Sequence, residues 1–259
     1  MNFRNTLLIV LACVLLLSAC SPRPSLLEME EWDLVWISDS SGWGVADIYA
    51  AMVEADTGIK VNVHDNWIGV LSAGDVYNAL KGEPTPNFKL EKLAELIQEA
   101  EIVVFYANPE ASLDEGNPAD WNCAHPIIAF YVNKCEMETF NTYIEHLEGI
   151  YQIIFELRNG QPIIVRAYDA YNPHITKFHE QGVYDECKAC WANYNAAIHQ
   201  AAASYNVPVA AVAEAWNGTN WNEDPNDKGY TEDGIHPNEE GATVIAQSIR
   251  DLGYDPVTP

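Results

Sequence analysis

Short apolar runs alternate with amphipathic segments along most of the chain. Runs such as Ile102-Val103-Val104-Phe105 have the length and the nearly continuous apolar character of strands buried on both faces of a sheet. The predicted strands are residues 32–37, 59–64, 101–106, 162–168 and 207–212. The predicted helices are residues 45–55, 90–100, 136–158, 184–205 and 238–252. This alternation predicts an α/β fold: a five-stranded parallel sheet with right-handed crossovers and helices on both faces.

Polar residues follow three of the predicted strands. Residues 38–42 end the first strand, residues 65–74 follow the second, and Asn108 follows the third. Because the carboxyl ends of parallel strands lie along one edge of a sheet, these groups are expected to form one site. The irregular segment 107–134 begins at the same edge, and a loop of that length in a compact domain is usually functional.

The N-terminal segment has the pattern of an export signal. Arg4 supplies a positive charge, residues 7–17 form an apolar stretch, and Leu17-Ser18-Ala19-Cys20 has the small residues of a cleavage site. A cysteine directly after that site resembles the lipidation site of bacterial lipoproteins. We therefore predict a signal peptide over residues 1–19, a lipidated Cys20 followed by a tether over residues 20–31, and one domain over residues 32–259. The apolar stretch is too short for a spanning helix, which disfavours a membrane anchor.

The negative net charge of the chain disfavours nucleic acids and anionic lipid surfaces as partners. The formal net charge is −25, and nucleic-acid binding depends on Lys and Arg that neutralise phosphates. We therefore expect no nucleic-acid partner. An acidic surface also disfavours spreading over anionic lipid, so the predicted contact with a membrane is through the N-terminal lipid alone.

The sequence contains six cysteines. One lies in the predicted signal and Cys20 is the predicted lipid site, which leaves Cys123, Cys135, Cys187 and Cys190. In an exported domain, four cysteines predict two disulfides with three possible pairings, of which 123 with 135 and 187 with 190 is favoured. A redox Cys-x-x-Cys should follow a strand, whereas residues 187–190 lie in a helical pattern. A zinc site would need a second pair at matching spacing, so we expect no metal.

Catalytic chemistry is indicated by Ser40 and by Asp233-Gly234-Ile235-His236. A serine hydroxyl becomes a nucleophile when a histidine accepts its proton and an acid orients that histidine. Each part also has an ordinary explanation: residues 39–42 could be a helix start, and Asp233 and His236 a turn acid and a surface histidine. His64 is an alternative base. The Gly-x-Ser-x-Gly motif of α/β-hydrolases does not surround Ser40.

Together, Ser38-Asp39-Ser40-Ser41, a glycine after the second strand, Asn108 after the third and Asp233-x-x-His236 resemble the SGNH (GDSL-type) hydrolase family. The blocks follow the family order and cover essentially the whole predicted domain. The usual Gly-Asp-Ser-Leu is Ser-Asp-Ser-Ser here, and the usual Gly-x-Asn-Asp is Tyr106-Ala107-Asn108-Pro109.

The resemblance implies a flavodoxin-like three-layer α/β/α fold and a serine mechanism without a cofactor or metal. It implies that Ser40 is the nucleophile, His236 the general base and Asp233 the acid that orients it. The implied oxyanion donors are the backbone N–H groups of Ser40 and Gly74 and the side-chain amide of Asn108. Gly69 is the alternative to Gly74.

We therefore expect an exported, monomeric serine esterase that forms an acyl-enzyme, with a carbohydrate O-acetyl group as the preferred substrate. Cleavage of lysophospholipids or thioesters is the alternative within the same chemistry. A non-catalytic binding lipoprotein that keeps the fold is the alternative outside it. Trp43, Trp67 and Trp121 are candidates for lining the substrate cleft.

Overall fold

The computed structural model describes residues 26, 29–85, 87–109 and 136–256. Within them, five parallel strands form one sheet in the order β2-β1-β3-β4-β5. The strands are β1 (Glu31–Ile37), β2 (Lys60–Asp65), β3 (Ile102–Phe105), β4 (Ile164–Tyr168) and β5 (Val209–Ala210). The predicted five-stranded parallel sheet is confirmed.

Eight α-helices connect and follow these strands within the described residues. They are α1 (Val45–Thr57), α2 (Ala73–Leu80), α3 (Leu93–Glu99), α4 (Asn141–Arg158), α5 (Ile175–Gln181), α6 (Tyr184–Ser204), α7 (Val212–Asn217) and α8 (Glu239–Arg250). The five predicted helices are all present, and α2, α5 and α7 were not predicted. Among the described residues, no helix is both long enough and apolar enough to cross a membrane.

The last predicted strand, residues 207–212, is wrong beyond Ala210. Val212 instead begins α7, and the backbone N–H of Ala213 donates to the carboxylate of Asp169 at 2.7 Å. This carboxylate at the end of β4 satisfies one of the free N–H groups at the start of α7, which favours the helix over a longer strand.

The strand order places the helices in two layers around the sheet. The crossover from β1 to β2 runs in one direction, and the later crossovers run in the other. Because such crossovers are right-handed, α1 covers one face of the sheet, and α2, α3, α4 and α6 cover the opposite face. Helix α8 packs against α1. The direction of winding reverses between β1 and β3, and ligand sites of open α/β sheets form at such a point.

The core is mostly apolar but includes several buried charged groups, of which the arginine in β4 is the most deeply buried among the described residues. Arg166 in β4 is only 1% exposed. Its guanidinium donates to the carbonyl oxygens of Val165, Gly253 and Asp255 at 2.8–3.2 Å. These acceptors offset the cost of burying the charge and fix the segment after α8 to the sheet.

Candidate active site

His236 lies within hydrogen-bond distance of both Ser40 and Asp233, although Ser40 is 196 residues from it in sequence. The Nε2 atom of His236 is 3.0 Å from the Oγ atom of Ser40, and its Nδ1 atom is 2.7 Å from Asp233 Oδ2. A neutral histidine that donates from Nδ1 to the aspartate has Nε2 free to accept the serine proton. This is the arrangement that activates a serine nucleophile.

The loop that carries Asp233 and His236 is fixed by its own backbone. Asp233 Oδ1 accepts from the N–H groups of Ile235 and His236 at 3.0 and 2.8 Å. Gly234 between them has a φ of +92°, which favours glycine. Tyr171 donates from its hydroxyl to the carbonyl oxygen of Ile235 at 2.7 Å. The histidine is therefore positioned by contacts within a few residues and by one tyrosine beneath the loop.

Asp233 is suited to stay ionised beside the histidine. Partial burial acts to raise the pKa of its carboxyl, but the backbone N–H and ring of His236 and the N–H of Ile235 outweigh that effect. The pKa of Asp233 is lowered to about 2. At neutral pH the group is a carboxylate that accepts from Nδ1–H and stabilises the imidazolium formed when His236 takes a proton.

Ser40 begins a short 3-10 helix, Ser40–Gly42, directly after β1. Asp39 caps this turn, because its Oδ1 atom accepts from the N–H of Ser41 at 2.8 Å. Ser38, which stands where the usual motif has glycine, is buried and accepts from the indole N–H of Trp36 at 2.9 Å. Ser38 thus provides a hydrogen-bond acceptor for the buried indole N–H of Trp36, and the turn that begins at Ser40 is kept.

Asn108 connects the nucleophile turn to the segment that contains Gly74. Its Nδ2 atom donates to Asp39 Oδ2 at 2.8 Å. Its backbone N–H donates to the carbonyl oxygen of Leu71 at 2.9 Å, and its carbonyl oxygen accepts from Ala73 at 2.8 Å. These bonds hold Ala73, the first residue of α2, against Asn108, and Gly74 is the next residue of that helix. The N–H groups of a first helical turn have no intrahelical acceptors, so that of Gly74 is suited to bind an oxyanion.

The other candidates from the sequence lie elsewhere. His64 is 3.1 Å from Asp33 and does not contact Ser40. Gly69 is in an exposed part of the loop after β2. Cys187 and Cys190 are buried one turn apart in α6. Trp43 is 50% exposed and its ring centroid is 6.0 Å from that of Trp67.

Four predicted residues, Cys20, Trp121, Cys123 and Cys135, lie outside the described residues. Lipidation and disulfide pairing therefore stay predictions.

A small cavity opens beside Ser40 and His236. Its volume is about 20 Å³, which is room for about one water-sized group. The residues that line it are Asp39, Ser40, Ser41, Tyr106, Tyr168, Asp169, Ala170, Tyr171, Pro173, Ile235 and His236.

The three tyrosines of this cavity, Tyr106, Tyr168 and Tyr171, were not predicted from the sequence. They lie at or just beyond the ends of β3 and β4, and Tyr106 stacks on Tyr168 with ring centroids 4.8 Å apart. Their position after buried strands was the available signal, because the carboxyl ends of β3 and β4 face the site.

No protein-family model matches the sequence, and no curated protein matches it. Solved structures do match over most of the chain. The acetyl xylan esterase AlAXEase is 15% identical, with 85% of this chain and 99% of that chain covered and a TM-score of 0.52. A variant of Axe2, an acetyl-xylooligosaccharide esterase from Geobacillus Stearmophilus, is 14% identical over 88% and 97% of the two chains, with a TM-score of 0.54.

A protein from Parabacteroides merdae that is assigned as a GDSL-like lipase is 10% identical. The match covers 88% of this chain and 98% of that chain, with a TM-score of 0.55. Likeness at these identities establishes the architecture of the chain. The protein has the three-layer α/β/α fold of the SGNH (GDSL-type) hydrolases, as its sequence motifs predicted.

Proposed function

We propose that the protein is a serine ester hydrolase of the SGNH type, with Ser40, His236 and Asp233 as its catalytic residues. The observation that supports the proposal is a continuous chain of two hydrogen bonds. It runs from Ser40 Oγ to His236 at 3.0 Å and from His236 to Asp233 at 2.7 Å. It joins residues from opposite ends of the sequence at the switch point of the sheet, where ligand sites of this architecture form.

The reaction proceeds through an acyl-enzyme. Ser40 Oγ attacks the ester carbonyl carbon while His236 Nε2 accepts the hydroxyl proton, and the carbonyl π electrons move onto oxygen. The C–O bond to the alcohol then breaks, and His236 donates its proton to the departing oxygen. A water molecule repeats the sequence on the acyl-enzyme, giving up one proton to His236, and it releases the carboxylic acid and free Ser40.

The negative oxygen of each tetrahedral intermediate needs hydrogen-bond donors. The backbone N–H groups of Ser40 and Gly74 and the amide of Asn108 are proposed for this role. Removing one such donor from an acyl-transfer enzyme typically lowers the rate by about 10²–10³-fold. Ser40 lies in the first turn of a helix, and so does Gly74, where N–H groups are available to a ligand.

The acyl group is proposed to be short. The cavity beside Ser40 has a volume of about 20 Å³ and its lining includes the rings of Tyr106, Tyr168 and Tyr171. A methyl group fits a space of that size, whereas a fatty acyl chain does not. This favours acetate as the released acid over a long-chain lipid product.

A carbohydrate is proposed as the alcohol part of the substrate. Trp43 lies directly after the nucleophile turn and is 50% exposed, with Trp67 against it. An exposed aromatic face can stack on the apolar face of a sugar ring, as aromatic side chains do in binding sites. The net charge of −25 also disfavours anionic lipid surfaces as substrates.

The first experiment measures hydrolysis of p-nitrophenyl acetate by the purified residues 21–259, with Ser40→Ala and His236→Ala as comparisons. We expect turnover by the unsubstituted protein and a loss of at least about 10³-fold in each variant. Equal rates in all three proteins would overturn the enzyme proposal and favour a non-catalytic binding protein.

The second experiment compares p-nitrophenyl esters of increasing acyl length and measures acetate release from acetylated xylooligosaccharides. We expect the highest kcat/KM with acetate. An optimum at long chains would instead favour a lipase or thioesterase and would overturn the proposed acyl preference.

The protein is also proposed to act outside the cytoplasm, attached through a lipid on Cys20 and stabilised by two disulfides. The support is the signal-like pattern of residues 1–19 and the four further cysteines. Cys20→Ala should move the protein from the membrane fraction to the soluble fraction. Thiol titration of the unfolded, unreduced protein should find no free thiol among the four cysteines.

A further inference from the structure

The side-chain amide of Asn108 can serve as an oxyanion donor only in one orientation. An asparagine amide has an acceptor oxygen and a donor nitrogen on a nearly symmetric frame. A rotation of 180° would turn the oxygen towards the negative charge of the intermediate and repel it. The contacts that distinguish the two ends of the Asn108 amide therefore bear on catalysis.

Both ends of this amide have a defined partner. Asn108 Nδ2 donates to Asp39 Oδ2 at 2.8 Å, and the hydroxyl of Tyr106 donates to Asn108 Oδ1 at 3.3 Å. All three residues are buried, with exposures of 2–4%. A carboxylate only accepts hydrogen bonds, so the opposite amide orientation would place two oxygens against each other at Asp39. Among the described residues Nδ2 donates only to Asp39, which leaves its second hydrogen for a ligand.

Tyr106 is itself held firmly. Its ring stacks on Tyr168, its hydroxyl oxygen is 2.9 Å from that of Tyr194, and its backbone N–H donates to Ile37 at 2.9 Å. A tyrosine ring has two side-chain torsions, so packing of this kind fixes where its hydroxyl lies. Tyr106 occupies the position at which the family resemblance would place a glycine, which has no such group.

We propose that Asp39 and Tyr106 are positioning residues that hold the Asn108 amide with its nitrogen towards the oxyanion. This inference rests on the proposed function. The other oxygen of Asp39 accepts from the N–H of Ser41, so one buried carboxylate aligns the nucleophile turn and the oxyanion amide together. The hydroxyl of Tyr106 completes the arrangement from the acceptor end.

The experiment is a double-mutant cycle on p-nitrophenyl acetate hydrolysis, built from Tyr106→Phe and Asn108→Ala, with kcat and KM measured separately. Tyr106→Phe keeps the stacked ring and removes only the hydroxyl. We expect it to lower kcat by about 3- to 10-fold with KM changed less than about twofold, below the cost of losing a donor outright. In the Asn108→Ala background, the same substitution should change kcat by less than about twofold, because the amide that it orients is absent.

Tyr151→Phe is the matched control. Tyr151 is also fully buried, and its hydroxyl has no hydrogen-bond partner among the described residues. Its removal should leave kcat unchanged. Asp39→Asn, which keeps the shape of the side chain but adds a donor, should lower kcat more than Tyr106→Phe does.

The outcomes separate this proposal from the one on which it rests. Wild-type kcat in Tyr106→Phe would overturn the positioning role while the hydrolase proposal stands. Equal losses from Tyr106→Phe with and without Asn108 would also overturn it, since they would show a general structural effect. Absence of hydrolysis in the unsubstituted protein would overturn the proposed function, and the positioning role with it.

Discussion

The half of the site that holds Asp233 and His236 is more exposed and local, whereas the half that holds Asp39 and Asn108 is buried and assembled from distant strands. The side chains of Asp233 and His236 are 53% and 21% exposed, and only two residues separate them in sequence. Asp39 and Asn108 are 2% and 3% exposed and are 69 residues apart. The half with Asp233 and His236 is a self-contained turn, and the half with Asp39 and Asn108 depends on the sheet being formed.

Because of this difference, substitutions in the two halves should differ in how they affect the reaction and the stability of the fold. A change in the exposed turn should impair the reaction and leave the fold almost untouched. A change in the buried half removes a partner from a buried polar group, so it should impair both the reaction and the fold. The following predictions test that division.

The largest effect is expected for Asp233→Asn. Loss of the carboxylate removes the group that fixes the tautomer of His236, and kcat should fall by about 10⁴-fold. Because Asp233 is an exposed loop residue, the free energy of unfolding should change by less than about 0.5 kcal/mol. Ester hydrolysis and urea denaturation measure the two quantities. A large drop in stability would contradict the view that the turn is independent of the core.

Asn108→Ala should impair both the reaction and the fold. We expect kcat to fall by about 10²–10³-fold through the lost oxyanion donor. The free energy of unfolding should fall by about 1–3 kcal/mol, because the buried carboxylate of Asp39 loses a hydrogen-bond donor. The same two assays apply. Unchanged stability would show that Asp39 finds another donor and that the two halves are less different than proposed.

Trp43→Ala tests the substrate surface, where a smaller effect is expected. Loss of the stacking face should lower kcat/KM on acetylated xylooligosaccharides by about 2- to 10-fold, the equivalent of about 0.5–1.5 kcal/mol. Hydrolysis of p-nitrophenyl acetate should stay within twofold of the unsubstituted protein. Phe88→Ala is a matched control, because Phe88 is 77% exposed but does not follow the nucleophile turn. Equal effects of the two substitutions on the oligosaccharide would contradict a specific role for Trp43.

The smallest effect concerns the titration of two aspartates, followed by carboxyl NMR signals. Burial raises the pKa of Asp39, although hydrogen bonds from Ser41 and Asn108 oppose it. The pKa of Asp233 is lowered to about 2. Asp233 therefore stays a carboxylate to a lower pH than an ordinary aspartate, whereas the cost of ionised Asp39 is relieved as the pH falls through its raised pKa. An Asp39 signal that titrates below that of Asp233 would contradict the comparison.

The sequence predicted well what depends on local patterns. The buried strands have continuous apolar runs, and Asp233-x-x-His236 forms its contacts within one turn, so both could be recognised without the fold. Ser40, Gly74 and Asn108 were expected at one edge of the sheet because each follows a strand, and the carboxyl ends of parallel strands lie along one edge.

What the sequence did not predict depends on distant partners. Helices α5 and α7 have seven and six residues, too few to be stable alone. Each has a first-turn N–H that donates to a remote aspartate: Thr176 to Asp224 and Ala213 to Asp169. The second role of Asp39 was missed for the same reason, since a helix-capping aspartate gives no sign that its other oxygen holds an amide 69 residues away.

Arg166 has a consequence for how the protein is made. Its guanidinium sits in the middle of the sheet, but two of its acceptors, the carbonyl oxygens of Gly253 and Asp255, come 87 and 89 residues later. During synthesis, burial of Arg166 in the sheet would leave its guanidinium without these two acceptors until the segment after α8 has emerged. Closure of the sheet around Arg166 is therefore favoured only once the last residues of the domain are available. A truncation before Gly253 would leave that cation with only the carbonyl oxygen of Val165 among these acceptors.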